Sequence, residues 1–208
     1  MNPVPDPTRY PFRTVGKLFF VSGGKDWVGS ASVIAPDGLM TVAHNLYDEK
    51  DGWSSNIHFV PAYTDGAAPF GHWRWHKCWI QEEWYRHNKD AHDFGIVRLD
   101  RGGTADRHVG DVVGWLGVRA EISVHQTWID VGYPGAFHGG QRMVESTGPY
   151  RMRSSDGLVV SKQGWLGQGA SGAPWLLDDD RGIANGVHSF SHEDYPDESF
   201  SPYFRHYD

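Results

Sequence analysis

The chain has 208 residues, enough to bury a substantial core as one large unit or as two small ones sharing an interface. Hydrophobic residues at 39% and charged residues at 22% give an ordinary globular composition, and a net charge of −7 argues against nucleic acid or an anionic membrane surface as partner, since both need clustered Lys and Arg. No segment reaches the roughly 18 continuous apolar residues of a membrane-spanning helix, and a single cysteine, Cys78, rules out an internal disulfide.

Residues 1–13 are proline-rich and predict an extended arm. Met1-Asn2-Pro3-Val4-Pro5-Asp6-Pro7 has no basic start and no apolar core, unlike a signal peptide. A native Met1 implies a cytoplasmic chain and a removed leader a secreted one, and the sequence leaves both open. Short apolar or alternating runs then predict strands at 15–21, 28–35, 40–43, 56–61, 73–80, 94–99, 124–131, 142–145, 158–161, 173–177 and 183–190. Asp37-Gly38, Asp51-Gly52, Tyr133-Pro134-Gly135 and Asp156-Gly157 are among the separators. Helical periodicity is confined to a turn after His44 and another at 81–85. Cys78 lies in the alternating 73–80 run, the pattern of a packed structural thiol. Glycine-rich 102–117 falls near the middle and predicts a join between two β halves, 14–108 and 109–208. The late acidic groups, Asp178-Asp179-Asp180 and Glu193, Asp194, Asp197 and Glu198, read as solvated loops, with a calcium site as the alternative. The prediction is all-β, as a sandwich or barrels.

Chemistry concentrates in Gly167-Gln168-Gly169-Ala170-Ser171-Gly172-Ala173-Pro174. A serine hydroxyl is a poor nucleophile unless a base takes its proton and donors receive the developing oxyanion. Flanking glycines let the backbone turn tightly enough to aim several groups at one small volume. His44 follows an apolar run, Met40-Thr41-Val42-Ala43, which sets its imidazole at a strand's end. Asp93 precedes the apolar run Phe94-Gly95-Ile96-Val97, where a carboxylate can accept from a histidine Nδ1–H while shielded from water. Asp90 competes with it but lacks the directly following strand.

The order His44, Asp93, Ser171, each at a predicted strand edge, resembles the chymotrypsin-like serine peptidases. Val28-Gly29-Ser30-Ala31-Ser32-Val33-Ile34-Ala35 is similar to the family strand preceding its histidine. Val131-Gly132-Tyr133-Pro134-Gly135 and Gly186-Val187-His188-Ser189 are similar to the disulfide-poor bacterial branch that includes glutamyl endopeptidases. The resemblance covers about residues 10 to 204 and implies two packed six-stranded antiparallel β-barrels with the active site in the cleft between them. It implies Ser171 as nucleophile, His44 as general base and acid, Asp93 as the group orienting His44, and the backbone N–H groups of Gly169 and Ser171 as oxyanion hole. Ser189 matches a serine that supports the aspartate, and Phe190 an aromatic residue of the cleft. Trp165, Leu166, His188, Ser189, Phe190 and Ser191 form the implied substrate pocket.

The pattern departs from the family in three places. Ala170 stands where animal members carry the Asp that captures a new N-terminal amine on activation. Trp165 stands where a trypsin carries its pocket Asp, so Arg and Lys have no evident partner; Leu166 stands where glutamyl endopeptidases tend to have Thr. His188 matches the histidine with which those enzymes bind a Glu carboxylate, and reading an acid or simply lining the cleft are both open to it. The family's closing helix is missing from 201–208, leaving room for a domain cut from a longer protein, with a fused or associated partner beyond the C-terminus, or for a naturally short version.

The implied activity is a serine endopeptidase acting on protein or peptide substrates without cofactor or metal, preferring an acidic or apolar residue before the cut. A catalytically inactive binding or regulatory module on the same fold is the alternative. A carbohydrate-binding reading of Trp73, Trp75, Trp79 and Trp84 lacks any accompanying sugar-binding signature. A metallohydrolase lacks His-Glu-x-x-His, and an α/β-hydrolase esterase needs the serine first in the chain.

Overall fold

The computed structural model describes residues 1–205; the final three positions of the predicted second half lie outside them. In chain order the strands are β1 (Asn2–Pro3), β2 (Val15–Ser22), β3 (Lys25–Val33), β4 (Gly38–Thr41), β5 (Tyr47–Asp48), β6 (Gly52–Trp53), β7 (Ser55–Pro61), β8 (Trp73–Ile80) and β9 (Gly95–Leu99), with helix α1 (Glu82–His87) between β8 and β9. Six of these close into an antiparallel barrel, β2-β3-β4-β9-β8-β7. Side chains alternate across a strand, and in β2 this sends Leu18 and Phe20 into a core with Val33, Phe59, Trp73 and Val97. Lys17 and Phe19 take the outer face.

Helix α2 (Val109–Val113) falls in the segment read as a glycine-rich join, and its Val109 and Val113 pack onto the first barrel's core. The second half holds β10 (Gly117–Val118), β11 (Thr127–Gly132), β12 (Val144–Arg153), β13 (Val159–Gln163), β14 (Pro174–Leu177), β15 (Ile183–Val187), β16 (Phe190–His192) and β17 (Tyr195–Pro202). They pair in the order β10-β15-β14-β11-β12-β13-β17-β16, antiparallel except for β10 and β15. β15 and β17 meet through a side chain, Val187 N–H donating to Ser201 Oγ at 2.9 Å. A Cβ on Gly186 would run into that hydroxyl, so this approach requires glycine.

Three elements differ from the sequence reading. β17 occupies a stretch read as acidic loop, because its inward positions Ser199 and Ser201 are hydroxyls, each 0% exposed and hydrogen-bonded rather than apolar. β12 runs on through Gly148-Pro149, residues that break strands by composition but pair here with Trp128 and Thr127. The N-terminal arm is docked: Asn2 and Pro3 pair with Glu145 and Val144, and Val4 N–H donates to Met143 O at 3.0 Å.

A further apolar cluster bridges the two halves, joining Val15, Met40 and Val42 of the first to Val131, Tyr133, Leu176 and Val187 of the second. Burying this seam is favourable by about 25 cal/mol per Å² of apolar surface. It presses the end of β4 against the segment leading into β14.

Candidate active site

His44 lies in a short 3-10 turn, Ala43–Asn45, directly after β4, and Asp93 caps another, Asp90–His92, two residues before β9. Thr41 pairs with Gly95 in the antiparallel β4–β9 ladder. The chain leaving β4 and the chain entering β9 therefore emerge at the same barrel edge. Asp93 accepts from the His44 backbone N–H at 2.9 Å through Oδ1 and lies 2.7 Å from Nδ1 through Oδ2. Ser189 Oγ–H also donates to Oδ2, at 2.5 Å. The carboxylate is only 2% exposed, whereas the His44 side chain keeps 35% of its surface open.

These contacts set the charges. Burial opposes ionisation of Asp93, but the His44 ring and the donors from His44 and Ser189 outweigh it and hold the carboxyl below its ordinary value. Burial likewise opposes a proton on His44, and the Asp93 carboxylate overcomes it, so the imidazole lies above its ordinary value.

Ser171 is carried by the loop before β14, and side chains of the first barrel hold that loop. Its carbonyl accepts from Ser30 N–H at 2.8 Å and Asn45 Nδ2 at 3.0 Å, while Ser30 Oγ–H donates to Gly169 O at 3.0 Å. Thr41 Oγ1 accepts a second bond from Asn45 Nδ2 and donates to Ser30 O. Gly172 has φ +90°, and a Cβ there would collide with Thr41 Oγ1 and the Ser30 carbonyl. Among the described residues, the N–H groups of Gly169 and Ser171 donate to no protein acceptor, although backbone donors are nearly always paired. Both residues line a cleft of about 880 Å³, together with His44, Gln168 and Gly135.

The six implied pocket residues have different fates. Trp165 is 36% exposed, Phe190 stacks on Phe200 with ring centroids 5.0 Å apart, and Ser191 is exposed. Leu166 requires a correction. It is 0% exposed and packs with Val144, Ala170 and Ala173 beneath the serine loop, so its side chain faces a core and not open cleft. His188 also differs from an open cleft residue. It is 3% exposed, and its Nδ1 lies 3.0 Å from Asp130 Oδ2. Ser189 spends its hydroxyl on Asp93.

Ser30, Asn45, Asp130 and Lys162 were missed by sequence reasoning. Asp130 and Lys162 form a 2.9 Å ion pair with both side chains at 0% exposure. Lys162 Nζ also donates to the carbonyls of Ser146, Gln163 and Gly164 at 3.1 to 3.2 Å. Burial opposes the Asp130 charge, but Lys162 and His188 keep its carboxyl below the ordinary value. Nothing local announces these residues, since Asn45 and Ser171 lie 126 positions apart.

No protein-family model matches the chain. A curated relative, an extracellular metalloprotease of Bacillus subtilis, is 22% identical over 118 residues, which span 56% of this chain and 36% of that protein. Among the described residues no group of three or more His, Cys, Asp or Glu side chains is placed to hold a metal ion. Solved structures are similar over nearly the whole chain. The protease Anisep of Arthrobacter nicotinovorans has a TM-score of 0.85 at 23% identity, covering 99% of this chain and 93% of that one. The thermostable serine protease AL20 from an extremophilic microorganism scores 0.83 at 26% identity, covering 93% and 92%. A Glu endopeptidase scores 0.82 at 18% identity, covering 98% and 90%. With a closed six-stranded barrel packed on a second β layer, the chain has the chymotrypsin-like serine-peptidase fold and resembles its bacterial, glutamyl-endopeptidase-like branch.

Proposed function

We propose that the chain is an active serine endopeptidase in which Ser171 forms an acyl-enzyme. The observation carrying this reading is the convergence on one cleft of Ser171, an Asp93-bound His44 and two unpaired backbone donors. An inactive scaffold does not require all three together.

His44 Nε2 takes the Ser171 proton as Oγ attacks the peptide carbonyl. Asp93 keeps the Nδ1–H tautomer in place and stabilises the imidazolium that forms. The N–H groups of Gly169 and Ser171 receive the oxyanion, an arrangement in which one donor is worth about 10²–10³ in rate. His44 then passes the proton to the leaving amine, and water repeats the sequence on the acyl-enzyme.

The residue before the cut is acidic or apolar, and not Arg or Lys. Trp165 supplies no charge, and the buried carboxylate of that region, Asp130, is already shared by Lys162 and His188.

Treatment with a fluorophosphonate probe labels the wild-type chain and leaves Ser171→Ala unlabelled. Digestion of a mixed peptide library then yields cuts after acidic or apolar residues, with turnover reduced on the order of 10⁶ in Ser171→Ala. A folded wild-type chain that resists the probe supports the inactive binding module instead. Cuts after Arg or Lys overturn the specificity alone.

A further inference from the structure

The cleft beside Ser171 contains none of the six implied pocket residues. Gly135, Gln168 and Gly169 line it near Ser171 and the first barrel lines the rest, so a peptide bound across Ser171 can run along it. It is lined by Phe19 of β2 and by Trp27 and Val28 of β3, the last two 52% and 42% exposed. A second cavity of about 550 Å³ shares Phe19, Asn56 and His58 with this cleft and continues it away from Ser171 to His72 and Arg74.

The two cavities differ in charge. Asp26, Asp48 and Asp51 line the one beside Ser171. The far one gathers His58, His72 and Arg74. His58 lies flat on Phe19, with ring centroids 4.8 Å apart and planes 4° from parallel, and 6.4 Å from the His72 ring. Burial above all, with His72 and Arg74 adding to it and a bond to the Asn56 carbonyl opposing it, pushes a proton off His58. The carboxylate of this cavity, Asp100, is engaged by His76 Nδ1 at 3.1 Å. Arg74 has no carboxylate partner among the described residues. In a chain of net charge −7, an exposed guanidinium without an ion-pair partner, in a cavity continuous with the cleft, is available to an anion.

We propose that this second cavity is a subsite for the departing peptide that takes a carboxylate on Arg74, flanked by His58 and His72. The carboxylate belongs either to an acidic side chain or to the peptide's C-terminus. The subsite rests on the endopeptidase reading, because substrate reaches it only by lying across Ser171.

Three internally quenched peptides share one acyl half and differ beyond the cut. The first carries Glu with an amidated end, the second Gln with a free carboxylate, and the third Gln with an amidated end. At least one carboxylate peptide exceeds the third in kcat/KM by about 1.5- to 5-fold, the range an exposed ion pair supplies. Which of the two gains identifies the source of the carboxylate. Arg74→Gln brings the ratio to one and Arg74→Glu inverts it. Equal kcat/KM for all three on the wild type overturns the subsite while leaving the peptidase intact. Failure to cut any of them counts against the endopeptidase reading. The leaving halves are then titrated into the full chain by Trp fluorescence. A preference for the carboxylate peptide that Arg74→Gln abolishes upholds the site, and equal affinities overturn it.

Discussion

At the His44 ring two influences oppose each other. Partial burial strips water from the imidazole and resists its protonation, while a carboxylate 2.7 Å from Nδ1 favours it. The carboxylate prevails because it is itself buried and held ionised by donors from Ser189 and the His44 backbone. Only the neutral ring can accept the Ser171 proton. Activity therefore rises with pH through the folded-state pKa of His44, and that pKa exceeds the ordinary 6.5. A kcat/KM profile has its acid limb above that value. In Asp93→Asn only the weaker pull of Asp90 still opposes burial, so the limb moves to lower pH and kcat falls by about 10⁴, as in comparable triads. An unmoved limb in that variant refutes the assigned coupling.

The serine loop is an element whose shape is imposed from outside. Gly172 adopts φ +90°, a conformation costly for any side chain, and sits against Thr41 and Ser30 of the first barrel. Asn45, one residue past His44, bonds the Ser171 carbonyl and so ties the His44 turn to the serine loop. Gly172→Ala should displace the loop and reduce kcat at least about 100-fold, the usual consequence of a misplacement near 1 Å. Asn45→Ala removes bonds to Ser171 and Thr41 and should lower unfolding stability by about 1–3 kcal/mol, read from urea denaturation. Unchanged kcat in both variants shows that the clamp does not position the serine.

Across the whole molecule the least expected feature is the buried Lys162–Asp130–His188 network inside the second half. Taking such charges out of water is tolerated only when every partner is present. Lys162→Met leaves the buried Asp130 with only His188 and Ser199 as partners, at a cost of about 3–5 kcal/mol. For a chain of this size that lowers Tm on the order of 10 °C, measured by calorimetry. Pairing it with Asp130→Leu should recover much of the loss. Asp130 has a folded pKa below its unfolded 3.8, so its contribution is present above 3.8 and disappears as pH falls through the folded value. A single Lys162→Met variant as stable as wild type contradicts this account.

How much of this was legible follows from the range of each signal. His44, Asp93 and the glycine-flanked Ser171 stand beside apolar runs, and strand alternation is a local pattern, so the all-β class, most strands of the first barrel and the reactive side chains could be read along the chain. β17 escaped because its inward positions are serines whose burial depends on partners in β13, β15 and the Gly164 segment. Leu166 and His188 are implied pocket residues through the family positions they match, yet whether a side chain faces a cleft or a core depends on what packs on its other side. For Leu166 that is Val144 and Ala173, and for His188 it is Asp130. The sequence by itself determined the all-β class and singled out His44, Asp93 and Ser171 as candidates for the chemistry. The tertiary structure decided which reach the cleft and which are buried, because burial and charge pairing are set by residues tens of positions away.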